Sequence, residues 1–118
     1  MSWNVELYDP ATSNIVSVPP HKEGDIIDAL GGTPMANMSV TWNYRPFYYE
    51  SLDPTEGFRW LNGKTAADTV TRLENAIAKL GTLCHSNYWA ATPGNAGHTI
   101  AVLLGWAKQH PTAMWKVT

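Results

Sequence analysis

The sequence predicts an α+β protein in which an antiparallel sheet is covered by two C-terminal helices. Three observations support this fold class. In the first part of the chain apolar and polar side chains alternate, which is the period of a half-buried strand. In the second part apolar side chains recur every three or four residues, which is the period of a helix. The length of 118 residues fits one hydrophobic core, so we expect residues 1–118 to form a single domain.

The strands are predicted near the N-terminus. Residues 3–8 alternate, a turn-forming cluster follows at residues 9–14, and residues 15–18 form a second short apolar run before two prolines. These segments predict an N-terminal hairpin. Residues 25–30 fit either a strand or a short helix. The clearest strand covers residues 37–44, where the even-numbered positions are apolar and the odd-numbered positions are polar.

The first long helix is predicted at residues 65–80. Thr65 is a suitable N-cap residue, and Gly81 is a suitable residue to end the helix. Its apolar stripe is Ala66, Val70, Leu73, Ile77 and Leu80. A shorter helix is expected at residues 47–52, directly after Pro46.

The second long helix is predicted at residues 93–109. Thr92 and Pro93 are a typical N-cap and first helical residue, and His110 is followed by a proline that ends the helix. Its apolar stripe is Ala96, Ile100, Leu103 and Ala107. Residues 114–117 complete the prediction as a last short strand. We expect a shared core made of Val40, Val70, Leu73, Ile77, Ile100 and Leu103.

Composition and charge limit the classes of function. A formal net charge of −2 argues against general nucleic-acid binding, which needs a basic face, but allows a small anionic ligand. The single cysteine, Cys84, excludes an internal disulfide and fits a reducing compartment. The N-terminus lacks the pattern of a signal peptide, and no apolar run approaches the roughly 20 residues that span a bilayer. We therefore expect a cytoplasmic protein that does not bind membranes.

The most informative feature of the chain is its aromatic content. Six tryptophans and five tyrosines occur in a small chain, and many lie beside arginine or asparagine, as at residues 42–45, 59–62 and 87–89. A small core buries so many polar-tipped rings with difficulty, so some should be half-exposed. Half-exposed aromatic rings beside arginine suit a flat ligand or a protein partner.

Two helix starts are candidate anion sites. Gly63, Lys64 and Thr65 resemble the end of a phosphate-binding loop, but the glycine required five residues earlier is replaced by Phe58. We therefore predict a turn and helix cap, with Lys64 left as a possible anion contact. The small residues of segment 92–98 would leave backbone N–H groups open to a phosphate. Alternatively, they allow the helix to pack closely on the sheet.

Catalysis and metal binding have little support in the sequence. The chain has four histidines: His21, His85, His98 and His110. No two of them have the spacing of a zinc motif, and Cys84 has no second cysteine with which to bind a metal. The acidic residues around Pro54 are Glu50, Asp53 and Glu56, which we interpret as a solvated turn. We predict no catalytic residue, no metal ligand and no cofactor.

Four segments together resemble a family of small uncharacterised proteins from phages and prophages. They are residues 40–44, 60–65, 73–81 and 88–96, and the similarity covers roughly residues 36–110. No activity is assigned to that family, so the resemblance implies only a phage context and transfers no functional residue. Small phage proteins without catalytic residues often act on host systems, and one such group sequesters nucleotide second messengers of bacterial immunity.

The leading hypothesis is therefore a non-catalytic anti-defence sponge in the host bacterial cytoplasm. It would sequester a nucleotide-derived host immune signal, and as a homo-oligomer it would share its site between subunits. The expected ligand-binding residues are Trp42, Asn43, Tyr44, Arg45, Arg59, Trp60, Lys64, Tyr88, Trp89, Thr92, Gly94, Asn95 and His98. One alternative is a module that binds and inhibits a host protein. A second is a small nucleotide-processing enzyme that uses His85, His98 or Glu50 as acid or base. In a purely structural role, all of the tryptophans would lie in the core.

Overall fold

A computed structural model describes residues 1–18, 35–87 and 90–118, together with the backbone of residues 21–23 and 26–28. The strands are β1 (Ser2–Tyr8), β2 (His21–Glu23), β3 (Ile26–Asp28), β4 (Asn37–Thr41) and β5 (Met114–Val117). The α-helices are α1 (Arg45–Ser51), α2 (Ala66–Leu80) and α3 (Pro93–Gln109). Two 3₁₀-helices cover Trp42–Tyr44 and Gly57–Leu61. The predicted α+β fold is confirmed.

The main sheet has three antiparallel strands in the order β4-β1-β5. Trp3 of β1 lies opposite Val40 of β4, and Leu7 lies opposite Trp115 of β5. These four side chains are buried, so the alternation in β1 directs one face of the sheet into the core. The other face carries polar residues.

The outer edge of β5 is covered by the segment that leads into α2. The backbone N–H of Gly63 donates to the carbonyl of Trp115 at 2.9 Å, and the Trp115 N–H donates to the carbonyl of Lys64 at 3.0 Å. Asn62 extends this contact, because its Oδ1 accepts the backbone N–H of Val117 at 2.9 Å. Residues 62–64 are therefore held in place beside the sheet.

The long helices pack against each other and share one core with the sheet. The predicted stripe of α3 is confirmed, since Ala96, Ile100, Leu103 and Ala107 are all fully buried. Hydrogen bonds join α1 to α3 and the sheet to α2. The Tyr48 hydroxyl of α1 donates to the carbonyl of Ala96 at 3.1 Å, and the Trp115 indole N–H donates to Thr69 Oγ1 of α2 at 2.9 Å.

The predicted strand at residues 37–44 is too long, because β4 ends at Thr41. The hydroxyl of Thr41 accepts the backbone N–H of Asn43 at 3.2 Å, which caps a 3₁₀ turn and stops the sheet pairing. Pro46 then lies in the first turn of α1, where its missing N–H costs nothing. The short helix therefore begins two residues earlier than the predicted start at residue 47.

The N-terminal hairpin is only partly formed. The turn at residues 9–14 is present, and Ser13 adopts a left-handed φ of 64° there. Residues 15–18, however, form no continuous strand, and only single bridges join Tyr8 to Ile15 and Ser17 to Met35. The prediction at residues 25–30 is met by β3 at Ile26–Asp28, and the rest of that segment lies outside the described residues.

The buried face of α2 differs from the predicted stripe. Val70 and Ile77 are only partly buried and pack at the margin of the core. The buried residues of α2 are Ala66, Thr69, Leu73 and Ala76. Three of these side chains are small, which lets α2 approach its neighbours closely. Thr65 occupies the predicted N-cap position without a side-chain hydrogen bond, and Gly81 ends the helix with a φ of 73°.

Candidate functional site

The short 3₁₀-helix Gly57–Leu61 presents Arg59 and Trp60 at the surface. Phe58 and Leu61 are fully buried and anchor this helix in the core. Arg59 between them is exposed, and Trp60 is half-buried. Gly57 begins the helix with a φ of 60°, and a Cβ there would lie 3.2 Å from the ring of Tyr49. Glycine suits this position because other residues rarely adopt such a φ.

Two cations lie over the indole ring of Trp60. The Nζ atom of Lys64 is 4.4 Å from the ring centroid, and the Cζ atom of Arg72 is 4.2 Å from it. Lys64 Nζ also donates a hydrogen bond to the backbone carbonyl of Trp60 at 2.6 Å. An indole ring attracts cations through its quadrupole, so Trp60 holds both positive groups beside the exposed Arg59.

Asp53 orders the loop that leads into this helix. Its Oδ2 accepts the backbone N–H groups of Thr55 at 2.9 Å and Glu56 at 2.6 Å. Its Oδ1 lies 3.6 Å from Nη1 of Arg72, which also donates to the carbonyl of Leu52 at 3.1 Å. The hydrogen bond from Glu56 is the largest cause that lowers the pKa of Asp53 below its ordinary value of 3.8. The carboxylate is therefore charged and connects the loop to α2.

A shallow cavity of about 270 Å³ lies beside Trp60. Its lining residues are Glu56, Arg59, Trp60, Asn62 and Lys64. We call this cavity the Trp60 pocket. Typical small-molecule sites measure about 300 to 1,000 Å³, so it has room for a small polar group such as a sugar phosphate.

The structure brings together three of the predicted site residues, Arg59, Trp60 and Lys64, in the Trp60 pocket. Those at residues 42–45 form a separate cluster and do not line it. There the Cζ atom of Arg45 lies 5.4 Å from the ring centroid of Trp42, while Asn43 is exposed.

Tyr44 does not fit its predicted role. Its side chain is fully buried and meets Tyr48 edge-on, with ring centroids 6.3 Å apart. It offers no face on which a base could stack, so we remove it from the candidate site. Trp42 is also partly buried, against Trp3 at 6.3 Å, and its buried indole N–H has no acceptor in the part of the chain that the structure describes.

The start of α3 is covered rather than open. Asn95 is buried, its Oδ1 accepts the His85 N–H at 2.8 Å, and its Nδ2 donates to the carbonyls of Asn87 and Ala90 at 3.0 Å. Thr92 Oγ1 accepts the Asn95 N–H at 3.2 Å, which confirms the predicted cap. These bonds hold His85, Asn87 and Ala90 against the helix start.

Gly94 shows why a phosphate cannot dock at this helix start in the observed conformation. A Cβ at this position would overlap the backbone carbonyl of Leu83. The expected anion cradle at Gly94 and Asn95 is therefore wrong, and the alternative of close packing is correct. The packing partner is the segment around Leu83, not the sheet. His98 is half-buried one turn further on, and Tyr88 and Trp89 lie outside the described residues.

Three residues of the site were not predicted: Glu56, Asn62 and Arg72. Arg72 lies in α2 whereas Lys64 precedes that helix, so no helical spacing in the sequence groups the two cations. Asn62 is held at the pocket by its contact with β5, and Glu56 by its contact with Asp53. No local sequence pattern indicates such contacts.

Comparison with known proteins identifies no relative, since no protein-family model, curated protein or solved structure matches the chain. Among the described residues, no group of three or more histidine, cysteine, aspartate or glutamate side chains could hold a metal ion. In the same part of the chain, no helix has both the length and the apolar character needed to cross a membrane. The chemistry of the Trp60 pocket is therefore the main guide to function.

Proposed function

We propose that the protein binds a nucleotide-derived anion at the Trp60 pocket and sequesters it without changing it chemically. The observation that carries this proposal is the pair of cations, Lys64 and Arg72, over the ring of Trp60, with Arg59 lining the same pocket. Guanidinium and ammonium groups are the usual partners of phosphate oxygens. Arg59 and Lys64 line the pocket and supply two positive groups there, whereas Arg72 supports the ring of Trp60 from α2 and lies beside Asp53.

The role of Trp60 in this proposal differs from simple base stacking. A base that stacks on its ring has to displace Lys64 or Arg72, because both cations lie within 4.4 Å of the ring centroid. A phosphate, in contrast, can be bound by the cations without moving them away from the ring. Trp60 therefore acts as a support for the phosphate-binding groups. The proposed stacking surface for the base includes Tyr88 and Trp89, as the sequence predicts.

Sequestration requires tight binding, and an open pocket gives little enclosure. Glu56, Arg59 and Asn62 are all exposed, so one subunit leaves a ligand largely in water. We therefore keep the proposal that the protein is a homo-oligomer in which a second copy closes the site. In the phage context that the sequence suggests, the ligand would be a host immune signal, and the protein would act as an anti-defence sponge.

A protein partner is the second candidate, and Tyr49 is the observation in its favour. Its side chain is 40% exposed and lies against Gly57, one turn from Arg59 and Trp60. Tyrosine, tryptophan and arginine are the residues that most often dominate protein interfaces. The enzyme alternative has no comparable support, because Glu50 does not line the pocket and Nδ1 of His85 already accepts the Asn87 N–H at 2.9 Å.

The proposal is tested by a thermal-shift screen of the purified protein against mononucleotides, dinucleotides and cyclic nucleotides. A ligand present at about 100 times its dissociation constant adds about 2.7 kcal/mol of stability, which raises the melting midpoint measurably. We expect at least one nucleotide to do so, and native mass spectrometry to detect the complex and its subunit number. A screen in which no nucleotide shifts the midpoint contradicts sequestration and favours the protein partner.

A further inference from the structure

The Trp60 pocket contains a negative group as well as positive ones. Glu56 lines the same cavity as Arg59 and Lys64. Within the described part of the chain, the carboxylate of Glu56 and the guanidinium of Arg59 form no ion pair and no hydrogen bond, with each other or with any other residue. Two opposite charges therefore line one small cavity without forming a contact ion pair, so the hydrogen-bonding atoms of both are available to a ligand.

The backbone under Glu56 is held in place. Its N–H donates to Asp53 Oδ2 at 2.6 Å, and the buried Phe58 anchors the 3₁₀-helix that begins at the next residue. Asn62, another lining residue, is also held in place, because its Oδ1 accepts the Val117 N–H. The Glu56 carboxylate thus extends from an ordered turn. A ligand can form hydrogen bonds with it without the entropy cost of ordering the loop.

This combination excludes the simplest anions as good ligands. Inorganic phosphate or sulfate would satisfy the cations, but Glu56 would repel it, because both are negative and lie in one cavity of about 270 Å³. A suitable ligand carries an anionic group for Arg59 and Lys64, and hydrogen-bond donors nearby for Glu56. The cavity has room for a sugar phosphate, and because it is shallow the rest of a nucleotide can extend into solvent.

We infer that the Trp60 pocket recognises a ribose phosphate with a free vicinal diol, and that Glu56 selects it by accepting hydrogen bonds from the two ribose hydroxyls. A carboxylate bonded to ribose hydroxyls is an established form of recognition at dinucleotide sites. The base lies outside the pocket, so this site reads the sugar and its phosphate rather than the identity of the base. The inference rests on the proposed nucleotide-binding function and specifies which nucleotides are bound.

The test is isothermal titration of the wild-type protein with AMP, 2′-deoxy-AMP, 3′,5′-cyclic AMP and inorganic phosphate. The deoxy compound lacks one hydroxyl, and the cyclic compound has no free diol. We expect AMP to bind about tenfold more tightly than either, which corresponds to the loss of a hydrogen bond to a charged acceptor. In Glu56→Gln the preference should fall below about threefold, and binding of inorganic phosphate should improve because the repulsion is gone.

Glu50→Gln is the matched control, since Glu50 is an exposed glutamate of α1 that does not line the pocket. It should keep the full preference for AMP. Equal binding of AMP and 2′-deoxy-AMP by the wild-type protein overturns the diol inference and leaves the proposed function standing. A preference that survives in Glu56→Gln overturns the role of Glu56. If none of these probes binds, the diol inference fails, and the proposed function fails as well only if the wider thermal-shift screen also finds no nucleotide.

Discussion

The guanidinium carbon of Arg72 lies 4.2 Å from the ring centroid of Trp60, and this contact joins α2 to the 3₁₀-helix that lines the pocket. The same guanidinium donates to the carbonyl of Leu52 and lies beside the carboxylate of Asp53. One side chain therefore connects three parts of the chain that are distant in sequence. The geometry of the candidate site depends on this connection.

Replacement of Arg72 by alanine should destabilise the protein by about 1 to 2 kcal/mol, since it removes a cation–π contact and a hydrogen bond. Chemical denaturation measures this change. Lys79→Ala is the control, because Lys79 is an exposed cation at the end of the same helix. That control should stay within about 0.5 kcal/mol of the wild type. Equal effects of the two substitutions would show that the contact with Trp60 contributes nothing.

Asp53 should make part of the stability depend on pH. Its pKa is lower in the folded protein than its ordinary value of 3.8, mainly through the hydrogen bond from the Glu56 N–H. The stabilisation is therefore fully present above about pH 5 and is lost as the pH falls through 3.8 towards the lowered pKa. Asp53→Asn should remove this component, so the variant loses less stability than the wild type between pH 5 and pH 2.5. Parallel pH profiles would contradict the role assigned to this carboxylate.

Two glycines of α3 should respond in opposite directions to alanine. A Cβ on Gly97 would overlap the carbonyl of Gly81, whereas a Cβ on Gly105 has nothing within 4 Å. Gly97→Ala should cost about 1 to 3 kcal/mol because the segment after α2 has to move. Gly105→Ala should add up to about 1 kcal/mol through helix propensity. Thermal denaturation of both variants checks this, and stabilisation by both would mean that the segment at Gly81 does not pack on α3.

Leu73 should be the most sensitive position of α2 in the core. Its side chain is fully buried, so Leu73→Ala should cost about 2 to 5 kcal/mol. Val70→Ala is a useful comparison, because Val70 is only partly buried and its replacement should lower the free energy of unfolding by less. Urea denaturation measures both values. A loss below about 0.5 kcal/mol for Leu73→Ala would place this residue at the surface.

The elements with strong periodicity were predicted well from the sequence. The alternation in β1 and the stripe of α3 each reflect one face turned to the core, and Thr92 and Pro93 mark the helix start correctly. The predicted end of β4 was wrong because apolar and polar residues still alternate up to residue 44, whereas the hydroxyl of Thr41 caps a turn that ends the strand. The sequence predicted a complete N-terminal hairpin, whereas residues 15–18 make only single bridges.

The candidate site was only partly predictable, for a similar reason. Arg59 and Trp60 were identified by the aromatic pattern and Lys64 by the resemblance to a phosphate-binding loop, so local patterns found them separately. Arg72 and Asn62 join them through contacts with other elements, and such contacts are set by packing. The start of α3 had the composition of an anion site. Its glycines and Asn95 instead serve the packing of residues 81–85, and composition alone does not distinguish these uses.

The most direct test of the central claim compares two exposed arginines that are both predicted from the sequence to be ligand-binding residues. Arg59 lines the Trp60 pocket, whereas Arg45 lies over the ring of Trp42 in the separate cluster. Isothermal titration with the nucleotide identified by thermal shift should show that Arg59→Ala weakens binding at least about tenfold, as expected for a lost charged hydrogen bond, and that Arg45→Ala changes it less than about twofold. Normal binding by Arg59→Ala, together with loss of binding by Arg45→Ala, would contradict the placement of the ligand in the Trp60 pocket.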